Sequence, residues 1–482
     1  MKLNKLIIGS GVIKTINDIE RSVSLICTDS RNCKPGSLFI AVKGAEIDGH
    51  NFIDAAIENG ACVIVCENIS SIKENITYVI VENGRKAAAE ISANFYDHPS
   101  SKLNLVGVTG TNGKTSIATL LYRTFTQLGY NCGLISTIAN YVGEHRYETT
   151  NTTPGPLELN KLIGEMAEAG CEYCFMEVSS HAIDQERILG LVFRGGIFTN
   201  LTHDHLDYHK TFLNYLNCKK HFFDTLPKNA FALTNIDDKN GNVMVQNTKA
   251  SVSTYSCRGY ADFKTKIIEK TIEGMLLNIN GQEVWCQFIG THNASNITAV
   301  YATALLLGAN SDEVIKIISG LRSVSGRLEY FQGKNNIIAA VDYAHTPDAL
   351  ENVLKTLDDL KPAGDLICVF GCGGNRDKTK RPEMGAIAGK YASRIIVTSD
   401  NPRFENPEDI IQDIKNGMDT ATIAKSLFIS DRKEAIRTAI ITAKPNSIIL
   451  VAGKGHEDYQ IINGVKHHFD DKEIIKEIFE QQ

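Results

Sequence analysis

"LVGVTGTNGKTS" occupies positions 105–116. A phosphate-binding loop is usually spelled G-x-x-x-x-G-K-[ST], and Gly113, Lys114 and Thr115 supply its end. Where that spelling has its first glycine, this chain has Val108. The context makes up for the displaced glycine. Residues 103–108 predict a buried strand. Residues 116–128 predict a helix, with Ile117, Leu120, Leu121 and Leu128 on one face and Gly129 as its stop. A loop between the two presents backbone N–H groups and a helix N-terminus to an anion. Gly110 and Gly113 permit close approach, Lys114 offers a cation to the β- and γ-phosphates, and the Thr115 hydroxyl can ligate Mg2+. A chance GKT in a surface turn would need neither the strand nor the helix. Motors, switches, kinases and ligases all use such a loop, so it does not name the reaction.

The chain has 482 residues, enough for two to four domains. Apolar residues make up 43% and charged residues 22%, the balance of a globular protein with ordinary cores. The net charge of −6 argues against a nucleic-acid-binding surface. No apolar run is long enough to span a bilayer, and the opening MKLNKLIIGSGVIKTIND is too polar for a signal peptide. A cytoplasmic protein with no membrane partner is expected. Twelve cysteines are scattered from Cys27 to Cys372 without framework spacing. Cys171 and Cys174 form one C-x-x-C, but no second pair accompanies it and Cys174 opens an apolar run, so buried reduced thiols are expected.

Short β-rich runs alternate with helical ones, the signature of α/β layers. A linker-like HPSS (98–101) precedes the loop, and a second break falls in SVSGRLEYFQG (323–333). Three blocks result. In the last, 337–341, 366–370, 394–398 and 448–451 read as buried strands, with helical stretches such as 349–360 and 434–443 between them. Such a series predicts a mostly parallel sheet with ligands beyond the carboxyl ends of its strands. There stand DYAHTP, GCGGNRD, SDNPR and GKGHED. Four ordinary surface turns would not all carry Arg, Asp, His or Glu.

The middle block holds two further constellations. CFMEVSSHA is an apolar strand that ends in Glu177, Ser179, Ser180 and His181, and a carboxylate there can hold a nucleotide's magnesium. NLTHDHLDYH gathers His203, Asp204, His205, Asp207 and His209. His205 and His209 have a zinc-like spacing, but no H-E-x-x-H accompanies them; a second Mg2+ site and plain polar packing compete. Lys219 and Lys220, in CKKHFF, read by themselves as solvated surface lysines.

Taken in order, TGTNGKTS, MEVSSH, NLTHDHLDYH, GTHNASNI, SGRLE, DYAHTP, GCGGNRDKTKRP, SDNPR and AGKGHE resemble the motifs of the Mur ligases. The resemblance covers essentially the whole chain, and TGTNGKT is that family's own spelling of the loop. It implies an α/β protein of three domains. Residues 1–99 would bind a UDP-sugar. Residues 100–325 would bind ATP on a phosphate-loop-type parallel or mixed sheet flanked by helices. Residues 326–482, a Rossmann-like α/β layer, would bring an amino acid. The activity implied is an ATP-dependent amide ligase of peptidoglycan precursor synthesis. It would add meso-2,6-diaminopimelate, through an acyl phosphate, to the D-glutamate γ-carboxylate of UDP-N-acetylmuramoyl-L-alanyl-D-glutamate. A monomer is expected.

The resemblance also implies roles, residue by residue. Gly110, Thr111, Asn112, Gly113, Lys114, Thr115 and Ser116 would cradle the ATP phosphates, with His292, Asn293, Asn296, Arg327 and Asp342 as further ATP contacts. Thr115 and Glu177 would hold the nucleotide's magnesium. His205 and Lys219, the latter as an N6-carboxylysine (carbamate), would hold a second; Lys114, Lys219 and His205 are thus the catalytic set. Ser30 would meet the UDP-sugar, and Asn151, Thr152, Thr153, Ser179, Gln185 and Arg187 the muramoyl dipeptide. Arg376, Asp400, Asn401, Pro402, Arg403, Gly453 and Glu457 would form the diaminopimelate site. Within it Arg403 is the candidate cation for the far carboxylate, the alternative being a surface arginine opposite Glu405. Competing readings are the L-lysine-adding relative, folylpolyglutamate synthetase, and a nucleotide-dependent switch without catalysis.

Overall fold

The computed structural model describes residues 1–44, 47–149, 151–360 and 362–481. Among them, three sheets follow one another along the chain, and each is covered by helices.

The first sheet has five strands, in the order Val12–Ile16, Thr77–Val81, Ala61–Cys66, Ser37–Ile40, Leu25–Cys27. All neighbours are parallel except the first pair. The central strands are uninterrupted apolar runs such as ACVIVC, as expected of strands buried on both faces.

The middle sheet has eleven strands. Its parallel centre runs Phe263–Lys270, Ser251–Ser256, Phe231–Asn235, Gly195–Phe198, Asn104–Thr109, Tyr173–Glu177, Cys132–Ile135. Antiparallel strands extend both ends. The expected strand at 103–108 is thus Asn104–Thr109, in the heart of the sheet, and the expected helix is Lys114–Gln127. Ile117, Leu120 and Leu121 lie in one core with Val106 and Val108. Val108 is therefore a core residue of the strand, and the first glycine of the loop is Gly110. Cys171 and Cys174 are buried free thiols in the core on the opposite face.

The third sheet runs Glu329–Gln332, Ile338–Asp342, Ile448–Ala452, Leu366–Phe370, Arg394–Val397, Ser426–Phe428, parallel but for the first strand. The four expected strands are present: one to the residue, two off by a single position at one end, and the first displaced by one position along the chain. The two expected helices are Pro347–Asp359 and Arg432–Ile441. Thr346 caps the first of these by accepting the Ala349 N–H, and Pro347 occupies its first turn. A two-stranded hairpin, Tyr459–Ile462 with Val465–His468, lies outside the sheet. No helix among the described residues is long and apolar enough to cross a membrane.

Candidate functional site

The loop between Thr109 and Lys114 is held from behind. Thr111 N donates to Asn200 O at 2.8 Å, Asn112 N to Asn200 Oδ1 at 2.9 Å, and Thr199 Oγ1 to Asn112 O at 2.6 Å. Gly110 has φ +151°, and a Cβ there would lie 1.9 Å from Thr199 Oγ1, so only glycine lets the two segments approach. The helix that follows starts at Gly113 without a side-chain cap. Its first-turn N–H groups are left for an anion.

Two ammonium groups converge on the same carbonyl. Lys114 Nζ donates to Gly110 O at 2.9 Å and Thr111 O at 2.8 Å; Lys219 Nζ donates to Gly110 O at 2.9 Å. Lys219 is 1% exposed, and Lys220 is buried beside Asp224. The reading of both as solvated surface lysines is thereby corrected. The helix Phe212–Asp224 buries this face, with Tyr215, Phe222 and Phe223 as its other buried residues. Burial, and then Lys114, hold the Lys219 amine well below the usual lysine range.

Thr115 Oγ1 donates to Glu177 Oε2 at 3.0 Å, and Thr137 N donates to Glu177 Oε1 at 2.7 Å. His205 stands beside Asp204 with a left-handed φ of 54°. Burial lowers its pKa to about 4, which leaves a neutral imidazole at pH 7. Among the described residues no three His, Cys, Asp or Glu side chains converge as a ready-made metal cage. Hydroxyl and carboxylate oxygens with a neutral imidazole suit a hard cation that keeps waters and substrate oxygens in its shell, as Mg2+ does.

Two cavities open on either side of the loop. One, of about 260 Å³, is lined by Asn112, Gly113, Ser116, His292, Asn293, Asn296, Arg327 and Asp342. Asn293 Nδ2 donates to Ile289 O at 2.9 Å and Asn296 Nδ2 to Asn293 Oδ1 at 3.3 Å, which orders both amides. Burial drops His292 to about 4 and raises Asp342 to about 6. Arg327 crosses from the third sheet's side to donate to Thr115 Oγ1 at 3.2 Å, its guanidinium 4.6 Å from the centre of the Tyr343 ring.

The second cavity, of about 540 Å³, contains Lys114, Lys219 and His205 in its wall. On one side stand Asn151, Thr152, Thr153, Ser179 and Arg187, and on the other Arg376, Asp400, Asn401, Arg403, Gly453 and Glu457. Gln185 stands behind this wall: its Oε1 accepts from Arg187 Nε and Nη2, at 3.1 and 2.7 Å. Pro402 likewise shapes the turn. Ser30 lies on neither cavity; it sits in the turn Ser30–Asn32 of the first sheet's layer, and its carbonyl accepts from Asn59 Nδ2 at 3.0 Å.

The SDNPR turn is fixed from both flanks. Asn401 Nδ2 donates to Glu457 Oε2 at 2.8 Å, while its Oδ1 accepts the Ile461 N–H at 2.9 Å. Arg403 has φ 54° and is half-buried; its Nη1 donates to Gly374 O at 2.8 Å. Glu405 does not face it. That carboxylate pairs with Arg381, so the alternative of a surface Arg403–Glu405 pair is excluded.

Several residues at or behind the cavities were not picked out individually from the sequence. Asp237 and Asp238 follow the strand Phe231–Asn235 into the smaller cavity, where the rule of ligands beyond strand ends would have placed them. Tyr343 and His345 line both cavities. Lys454 is fully buried at 3.4 Å from Glu457. Arg381 and Asp348 act over long sequence separations and left no local signal.

Comparison with known proteins agrees with this geometry. Three family models match in order: Mur ligase family, catalytic domain, over residues 22–96; Mur ligase middle domain, over 108–304; and Mur ligase, glutamate ligase domain, over 326–455. The chain is 56% identical over 481 residues to the UDP-N-acetylmuramoyl-L-alanyl-D-glutamate–2,6-diaminopimelate ligase of Phocaeicola vulgatus, with 99% of each covered. It is 53% identical to the protein of that name in Bacteroides fragilis, again with 99% of each covered. A solved structure of a ligase of the same name superposes with a TM-score of 0.69 at 30% identity, over 97% of each chain. On this evidence the chain belongs to the Mur ligase family, whose three-domain α/β architecture it has.

Proposed function

We propose that the protein uses ATP to join meso-2,6-diaminopimelate to the γ-carboxylate of D-glutamate in UDP-N-acetylmuramoyl-L-alanyl-D-glutamate, a step of peptidoglycan precursor synthesis. One observation carries this reading. Two cavities meet at a single phosphate loop, and the second is lined by two separate sets of polar groups, one from each neighbouring domain. An ATPase or switch needs only the first cavity. The relatives of that name, 53–56% identical over nearly the whole chain, support the same substrates.

A carboxylate is a poor electrophile because oxide would have to leave. In the reaction proposed, an oxygen of the γ-carboxylate attacks the γ-phosphorus of ATP, the bond to the bridging oxygen breaks, and ADP leaves. The amine of diaminopimelate then attacks the acyl carbon, the carbon–oxygen bond to phosphate breaks, and the amine gives up a proton. Lys114 and the first-turn N–H groups offset the charge gathered on the transferring phosphoryl group. Thr115, Glu177, His205 and a carbamylated Lys219 would hold Mg2+, which supplies further positive charge at the phosphate oxygens when bound. Lys219 reaches that form when its neutral amine adds to carbon dioxide and loses a proton. Arg187, held by Gln185, and Asn151, Thr152, Thr153 and Ser179 would orient the dipeptide, with Ser30 at the distant uridine end. Arg376, Asp400, Asn401, Arg403, Gly453 and Glu457 would take the incoming amino acid. We read the three units as 1–99, 100–325 and 326–482, with the phosphate-loop and dipeptide groups in the second and the amino-acid groups in the third.

The test is amine-dependent ADP formation with the UDP-linked dipeptide and a panel of amino acids. Release with meso-diaminopimelate and not without an amine is expected. Equal use of L-lysine would assign the lysine-adding reaction, use of folate and glutamate would assign folylpolyglutamate synthesis, and release that needs no acceptor would leave an ATPase.

A further inference from the structure

Behind the proposed amino-acid pocket lies a charged side chain that no role above uses. Arg381 is 0% exposed, in the helix Lys380–Tyr391. Its guanidinium forms a two-pronged contact with Glu405: Nη1 to Oε2 at 3.0 Å and Nη2 to Oε1 at 3.0 Å. Nη1 also donates to Asp413 Oδ2 at 2.8 Å, and Nη2 to Gly373 O at 3.3 Å. Glu405 Oε1 in turn accepts the Asn375 N–H at 2.5 Å. One buried cation thus ties together the GCGGNRD loop, which carries Arg376, and the SDNPR turn, which carries Arg403.

The two segments touch closely elsewhere. Gly374 N donates to Asn401 O at 2.9 Å, Phe404 N to Asn375 Oδ1 at 3.1 Å, and Arg403 Nη1 to Gly374 O at 2.8 Å. A Cβ on Gly374 would fall 2.0 Å from Pro402 O. Neither segment is strand or helix, so its shape rests on these contacts. A planar guanidinium that forks onto a carboxylate fixes angle as well as distance, which a lysine ammonium does not.

We propose that Arg381 is a positioning residue for amino-acid specificity: through Glu405 and Gly373 it sets the spacing of the loops that bear Arg376 and Arg403. This rests on the reading of those loops as the diaminopimelate site. An ion pair that merely stabilised the domain would affect the folded fraction and leave the affinity of folded molecules for the amine alone.

Arg381→Lys keeps the charge and loses the fork. Glu405→Gln leaves the buried cation paired with Asp413 while replacing one of the two oxygens onto which it forks by an NH2 donor, and it serves should the lysine variant fail to fold. In the folded variant, KM for meso-diaminopimelate is expected to rise about 10- to 100-fold, the scale of a pocket displaced by a fraction of an ångström to an ångström. KM for ATP and for the UDP-linked dipeptide should stay near wild type. An unchanged KM for diaminopimelate, with only a lower melting temperature or a kcat that tracks folded protein, overturns the proposal. Arg403→Ala measured alongside separates the two failures. If it raises KM for diaminopimelate while Glu405→Gln does not, Arg381 is a structural ion pair only and the pocket reading stands. If Arg403→Ala has no effect, the pocket reading is what fails.

Discussion

Lys219 and Lys114 share the carbonyl oxygen of Gly110, an arrangement that two ammonium ions resist. Conversion of Lys219 to a carbamate replaces that repulsion with attraction and turns a cation into a pair of oxygen ligands. Lys219→Ala is expected to lower kcat about 100- to 1,000-fold, the cost of losing one preorganised charge contact, with part of the rate restored by short carboxylates. A carbamate carbon seen by NMR after incubation with 13C-bicarbonate, in wild type and not in the alanine variant, checks the modification itself. Full activity of the alanine variant would remove Lys219 from the mechanism. Local pattern alone did not disclose this residue, which only the family resemblance singled out: in CKKHFF two lysines look like a solvated helix face. Burial there depends on which face of the helix meets the sheet, and the deciding neighbours, such as Gly110, lie about a hundred residues away. Lys114 was legible, because its partners are three and four residues off.

At the scale of elements, the turn that carries Arg403 is built from outside itself. The hairpin strand Tyr459–Ile462 supplies Ile461 O to the Arg403 N–H at 3.0 Å, and Gln460 Nε2 donates to Asp400 O at 2.6 Å. A left-handed arginine persists where its surroundings enforce it. Wild-type protein should prefer meso-diaminopimelate strongly over L-lysine, because lysine leaves the guanidinium without a carboxylate. Arg403→Ala should lose diaminopimelate use far more than ATP binding; comparable KM changes for both would refute the assignment. The same element has an acid limit. Hydrogen bonds from Arg381, ahead of other contacts, hold Glu405 at about 2, below its ordinary 4.5. A carboxylate whose folded pKa is depressed stabilises the fold above its unfolded pKa, and this is lost as pH falls through the folded one. Wild type should therefore lose stability between about pH 4.5 and 2 more steeply than Glu405→Gln, as read from melting temperatures across that range. Strand and helix periodicity made four of the third sheet's six strands readable to within one residue, while the short edge strands Glu329–Gln332 and Ser426–Phe428 went unread. The turn's partners were not, because hydrogen bonds between irregular segments leave no period.

Among the described residues, one carboxylate makes two polar contacts between the second and third domains at the site. Asp348 Oδ2 accepts from Asn112 Nδ2 in the phosphate loop at 2.9 Å and from Thr202 Oγ1 at 3.3 Å. It stands at the start of the helix Pro347–Asp359, so the third domain grips both the loop and the segment that leads to Asp204 and His205. Asp348→Ala and Asn112→Ala should each slow turnover. In a double-mutant cycle on kcat/KM the two should couple by about 0.5–3 kcal/mol; simple additivity would show that the contact does not serve the reaction. Three blocks and their order were visible from the sequence, since each is a closed set of local periodicities. How the blocks meet was not, because that depends on pairs such as Asn112 and Asp348, 236 positions apart.

Tyr343 and His345 belong to the wall of both cavities. The partition between nucleotide and acceptor is thus supplied by the third domain and stays only while that domain is docked. Exchange of products for substrates across such a wall would require that domain to undock and swing through solvent. Friction, which has no hold on bond breaking inside a sheltered chamber, then acts on the slow step. Turnover under saturating substrates should fall in proportion to viscosity as sucrose is added, while a large inert polymer that raises bulk viscosity and leaves microviscosity unchanged should do little.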